Sequence, residues 1–140
     1  MPNADLTPIT VQVLVNAPLA RAWAVFTEPE HIVAWNFAND DWCCPRAQQD
    51  LRVGGSFSNR MEARDGSMGF DMAGTYDVVE PHARIGFTFG DRRADVTFAA
   101  EGDRTRVTET FVPEGEYPRE LQQAGWQAIL DNFRKRAEGT

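Results

Sequence analysis

Residues 50–81 read DLRVGGSFSNRMEARDGSMGFDMAGTYDVVEP, two alternating runs on either side of an Asp-Gly pair. Successive strand side chains point to opposite faces, so in FSNRM the residues Phe57, Asn59 and Met61 share one face and Ser58 and Arg60 take the other. Asp65-Gly66 accepts the positive φ angles of a tight hairpin turn. Beyond it, Phe70, Met72, Gly74, Tyr76 and Val78 fall on one face against Asp71, Thr75 and Asp77. The stretch reads as an antiparallel hairpin, with the glycine pair 54–55 where one strand bends into the next.

The punctuation continues downstream. EPHA (80–83), FGDR (89–92) and EGDR (101–104) are turns, and RIGFTF, ADVTFAA and TRVTETFV between them keep period two. Ile85, Phe87 and Phe89 form one inward row and Val96 and Phe98 another. In the last strand Val107 and Phe111 point inward, which carries Glu109 inward between them and sends Arg106, Thr108 and Thr110 to solvent. Short strands joined by tight turns make an antiparallel meander.

Upstream, ITVQVLV (9–15) alternates as a half-buried strand. It is followed by a short helix that Asn16 is placed to cap, with Pro18 in its first turn and Ala22, Trp23 and Phe26 on one face. The sequence EPE (28–30) breaks that helix, and a second short one carries Ile32 and Trp35. Strand patterning resumes at QQDLRVGG. After Pro118 the period changes: Trp126, Ile129, Leu130 and Phe133 form one stripe of a long terminal helix. The expected architecture is α+β, a curved antiparallel sheet of about six to seven strands gripping the C-terminal helix. Two short helices lie between the first and second strands, and residues 1–140 form one domain.

Of the 140 residues, 42% are hydrophobic and 25% charged, as in an ordinary globular protein. Fourteen basic against twenty-one acidic residues give a net charge of −7, which disfavours binding to nucleic acid or to anionic lipid headgroups. No apolar run reaches the roughly eighteen residues of a membrane span. The N-terminus lacks a basic start followed by an apolar stretch, so a cytoplasmic protein is expected. VGGSF lacks the remaining spacing and the basic residue of a phosphate loop.

The 50–81 string, taken with GWQAILDNF (125–133), resembles the START-like helix-grip superfamily, also called SRPBCC. Within it the chain is most similar to the homologues of the heat-shock protein 90 ATPase activator. The resemblance runs from Ile9 to about Ala137. It implies a hydrophobic cavity between sheet and terminal helix that takes a lipid, isoprenoid, polyketide-like or aromatic molecule. Some superfamily members are cyclases, hydrolases or dehydratases.

On that footing the inward rows supply the candidate ligand-binding residues: Phe57, Asn59, Met61, Phe70, Met72, Tyr76, Phe87, Phe98 and Glu109, with Gln122 and Trp126 from the helix. Phenylalanine and methionine walls suit apolar ligands of varied shape, whereas the same stripes in a solid core are packing alone. A buried carboxylate must be paired, protonated or near water. Glu109 therefore reads as a ligand anchor, as a general acid or base, as a structural partner for an arginine, or as a residue turned outward by a bulge. Gly125 reads as a site of close packing or as room for a ligand.

NDDWCCP (39–45) joins two acids, a tryptophan and adjacent cysteines. Consecutive Cα atoms lie about 3.8 Å apart, below the usual disulfide range. His31 and His82 are the only histidines, too few for a persuasive zinc site. The expectation is a lid, with Trp35, Phe37 and Trp42 closing over the ligand and Cys43 and Cys44 as small apolar fillers carrying no metal.

Three functions stand side by side: a binding protein for a small apolar or aromatic molecule; a cyclase- or hydrolase-like enzyme with Glu109 as acid or base; and a protein-interaction module related to chaperone regulators. The first is preferred. No cofactor is expected, and a homodimer is compatible with the sequence.

Overall fold

The structure, a computed structural model, describes residues 6–139. Seven strands and three helices follow in the order β1 (Ile9–Val15), α1 (Leu19–Thr27), α2 (Pro29–Trp35), β2 (Trp42–Gln49), β3 (Ser56–Ala63), β4 (Gly69–Glu80), β5 (Arg84–Phe89), β6 (Arg92–Glu101), β7 (Arg104–Phe111) and α3 (Arg119–Glu138). The strands form one antiparallel sheet in the order β1-β7-β6-β5-β4-β3-β2. The meander β2 to β7 is thus closed at one side by β1, whose Val11 lies opposite Glu109. This curled sheet holding α3 is the expected helix-grip α+β arrangement.

Turn chemistry matches the local sequence. Gly66, Gly90 and Gly102 take positive φ in the three Gly-Asp or Asp-Gly turns, and His82 does so in EPHA. The terminal helix packs along β1, and Gln127 Nε2 donates to the Gln12 carbonyl at 3.2 Å, covering part of that edge strand.

One half of the interior is solid. Phe98 lies edge-on to Trp23 and Phe26, and Phe26 and Trp35 both pack edge-on or tilted against Phe133 or each other, at centroid separations of 5.1–5.5 Å. Phe133 and Leu130 are sealed here, each contributing about 1.5–3 kcal/mol through burial. The Trp35 indole donates to the Val25 carbonyl at 2.9 Å, satisfying its one polar group inside this cluster.

Three local expectations are corrected. Asn16 does not cap α1: Pro18 is the N-cap, without a side-chain hydrogen bond, and the Asn16 N–H donates to Glu138 Oε2 at 2.8 Å. The second strand starts at Trp42, earlier than the alternation suggests, because WCCPRAQQ pairs with β3 through an irregularity between Cys43 and Arg46. In β4 the register shifts between Tyr76 and Val78. That bulge inverts the parity, so Val79 packs on the core opposite Ile85, and Val78 lies beside Gly86 on the outer face.

Candidate functional site: a cavity between sheet and terminal helix

The other half of the interior is not filled. A cavity of about 560 Å³ lies between the inner faces of β2–β7, the first half of α3, and Phe26 and Ile32 of the short helices. Its wall is a run of aromatic rings in contact: Tyr76 with Phe57, Phe57 with Phe87, Phe87 with Phe89, and Phe89 with Trp126, at centroid separations of 5.2–5.9 Å. Gly74 makes this wall possible. A Cβ there would stand 2.8 Å from the Phe57 ring and 2.2 Å from the Thr88 carbonyl oxygen. Met61, Met72 and Ile129 complete the apolar lining, and exposed Phe70, Asp71 and Asp91 mark where the cavity meets solvent.

Glu109 is carried inward by strand parity between Val107 and Phe111 and is 8% exposed. Its carboxyl makes no hydrogen bond or ion pair among the described residues, and burial pushes its pKa up from 4.5 to about 8. The neutral acid is therefore the main form at pH 7, able to donate one hydrogen bond and accept others. No arginine partners it, so the structural-pair reading falls away.

Tyr76 is also buried, and its phenol is pushed above its ordinary range by burial and then by the nearby charge of Asp50. At the far side, Gln49 Nε2 donates to Asn59 Oδ1 at 2.5 Å. Gln49 Oε1 is buried without a hydrogen-bond partner among the described residues, a cost of about 1–3 kcal/mol for an unsatisfied polar atom. The cationic lining group is Arg92, and it is already engaged. Its Nε donates to the Val112 carbonyl at 3.0 Å, Nη1 pairs with Glu114 at 3.2 Å, and the guanidinium sits 4.6 Å from the Phe89 ring centroid.

The sequence-derived candidates divide. Phe57, Asn59, Met61, Phe70, Met72, Tyr76, Phe87, Glu109, Gln122 and Trp126 all line the cavity. Trp35 and Phe98 do not: both are locked in the solid half by the contacts described above. Trp42 also stands outside the lining. It lies on β2 with its ring 6.2 Å from that of Phe70, so NDDWCCP is a turn running into an edge strand and not a lid. Cys43 and Cys44 are free thiols on that strand, and Cys44 is buried with Sγ 3.4 Å from the Arg46 carbonyl. His31 faces elsewhere, accepting at Nδ1 from Arg136 Nε.

Gln122 lines the cavity but its amide is committed. Oε1 accepts from the Glu114 N–H at 2.7 Å, and Nε2 donates to the Glu114 and Tyr117 carbonyls, both at 2.9 Å, which pins the β7–α3 loop. Gly125 has no atom within 4 Å of a built Cβ, so close packing does not explain it. Gln49 and Arg92 were missed. Gln49 lies on the non-alternating β2, and Arg92 sits in a turn motif that reads as solvent-exposed. No local pattern marked Gln49, because its register opposite Phe57 comes from pairing with β3.

Comparison with known proteins gives a consistent picture. The family described as activator of Hsp90 ATPase homolog 1-like protein matches residues 16–138. The solution structure of the AHSA1-like protein from Aeromonas hydrophila is 40% identical, with a TM-score of 0.89 over 94% of this chain and 92% of that one. The solution structure of Chr148 from Cytophaga hutchinsonii is 46% identical, with a TM-score of 0.81 over 93% of this chain and 91% of that one. CalU16 from Micromonospora echinospora, 20% identical with a TM-score of 0.67 over 93% of this chain and 75% of that one, shares the fold. No curated protein sequence matches this chain. Sequence, fold and family match agree that the chain belongs to the activator of Hsp90 ATPase homolog 1-like family, within the helix-grip superfamily.

Proposed function

We propose that the protein binds a small, mainly apolar or aromatic molecule between its sheet and terminal helix. The observation that carries this reading is a cavity of about 560 Å³, walled by aromatic rings and holding an unpartnered carboxyl at Glu109. An apolar pocket with few convergent polar groups is the ordinary form of a small-molecule site. A core without a ligand role gains nothing from that void, since lost packing costs stability in proportion to cavity size. Two free thiols suit a reducing compartment, so the cytoplasm is the proposed location.

Native mass spectrometry of the purified protein, followed by titration with the neutral probe N-phenylnaphthylamine, tests this. Saturable binding of one probe, displaced by whatever molecule co-purifies, is the expected result. A chain that carries no small molecule and shows no saturable binding would overturn the proposal.

A second reading is favoured by one specific observation. Glu109 has its pKa near 8 with no partner, the tuning of a general acid or base at neutral pH. Turnover of an aromatic ester or polyketide-like substrate, lost in Glu109→Gln, would replace the carrier with an enzyme.

A further inference from the structure

Resting on the ligand-binding reading, we propose that Gln49 and Asn59 form a polar subsite that selects an uncharged ligand bearing a hydroxyl group at that end. The two side chains reach the same end of the cavity from neighbouring strands, where Gln49 lies opposite Phe57 and Asn59 opposite Ala47.

The stoichiometry of their hydrogen bond carries the argument. Each carboxamide has one oxygen acceptor and one NH₂ donor group. With Gln49 Nε2 donating to Asn59 Oδ1, the pair leaves Gln49 Oε1 and Asn59 Nδ2 over. Exchanging O and N in both amides leaves Asn59 Oδ1 and Gln49 Nε2 over instead. Either way one acceptor and one donor remain side by side. Terminal amide torsions are broad, so a small rotation turns both toward a ligand.

The complement of an adjacent acceptor and donor is a group that donates and accepts at once. A hydroxyl does both; a carboxylate only accepts and an ammonium only donates. The electrostatics exclude anions further. Asp71, Asp91 and Glu114 line the cavity against the single cation Arg92, which Glu114 already holds. A ligand carboxylate would find no free positive partner.

Position gives the ligand's shape. Glu109 stands on β7 and Gln49 on β2, five places apart in the sheet order, with the Phe57, Phe87 and Phe89 rings between. Five strand spacings of about 4.8 Å, shortened by the curl, make the two polar ends well separated. The subsite therefore takes the hydroxyl of an elongated aromatic or polycyclic body.

Hydroxybiphenyl, biphenyl and biphenylcarboxylate, titrated at pH 6.5 into wild type, Gln49→Met and Asn59→Leu, test the assignment. The hydroxyl compound binds wild type about tenfold more tightly than biphenyl, and the carboxylate binds most weakly. In each variant, with circular dichroism confirming the fold, the hydroxyl preference falls below about twofold. Binding of biphenyl without a hydroxyl preference in wild type overturns the subsite and leaves the carrier intact. So does a preference that survives both variants but vanishes in Glu109→Gln, or a carboxylate that binds tightest. If none of the three compounds binds, the carrier reading fails and the subsite with it. Should one variant not fold, the other decides alone.

Discussion

The Trp126 ring of α3 lies flat on the Phe111 ring of β7, with centroids 3.8 Å apart and planes 7° from parallel. Phe111 is two residues beyond Glu109 on the same inward face, so this stack clamps the terminal helix to the sheet beside the buried carboxyl. Trp126 also closes the aromatic run that starts at Tyr76. Replacing it with alanine removes the stack and enlarges the cavity. Trp126→Ala is expected to lower the unfolding free energy by about 2–4 kcal/mol in urea denaturation, and a loss under about 1 kcal/mol would show that the clamp is dispensable.

Met72 lines the cavity near its rim and is only partly buried. Met72→Trp should fill the void and abolish uptake of the neutral probe, with a stability change within about 1.5 kcal/mol. A variant that unfolds instead identifies the site as packed core.

Glu109 sets a pH dependence whose sign follows from its shift. The unfolded chain releases this proton near pH 4.5 and the folded protein near pH 8. Between those values the folded state holds more protons, so its stability falls as pH rises. The stabilisation is complete below the unfolded value and is lost through the folded one, about 3 kcal/mol of it by pH 7. Glu109→Gln should remove this component. Stability curves of variant and wild type that run parallel from pH 5 to pH 8 would contradict the buried, unpartnered acid.

The two thiols differ in environment. Cys44 is 2% exposed and burial pushes its pKa up, whereas Cys43 is partly exposed. Ellman's reagent should titrate Cys43 in the native protein and Cys44 only after unfolding. Equal rates for both would show that β2 opens readily.

Two glycines predict opposite outcomes. Gly74→Ala drives a methyl group into the Thr88 carbonyl and the Phe57 ring and should cost more than about 2 kcal/mol. Gly125→Ala meets nothing within 4 Å and should stabilise α3 by about 0.5–1 kcal/mol. Thermal denaturation of both variants checks the pair.

Period-two alternation placed Phe57, Met61, Phe87 and Glu109 on inward faces, because side-chain direction along a strand is a local property of the backbone. The helix stripe through Trp126 and Phe133 was legible for the same reason, and the turns followed from Asp-Gly chemistry. Which apolar residues pack solidly and which face a void was not legible. Phe98 and Phe87 look alike in sequence, yet Phe98 meets Trp23 and Phe26 while Phe87 meets open space, and only the placement of α1 over the sheet decides between them. Gln49 was hidden because WCCPRAQQ owes its strand to pairing with β3 and not to a pattern of its own. Gln122 was visible as an inward polar residue, but its commitment to the Glu114 and Tyr117 backbone depends on how the β7–α3 loop folds back. Val78 and Val79 exchanged faces through a bulge that has no signature in DVVE. Local periodicity set the direction of each side chain, whereas its neighbours, and so its hydrogen bonds, pKa and access to ligand, came from residues distant in the chain.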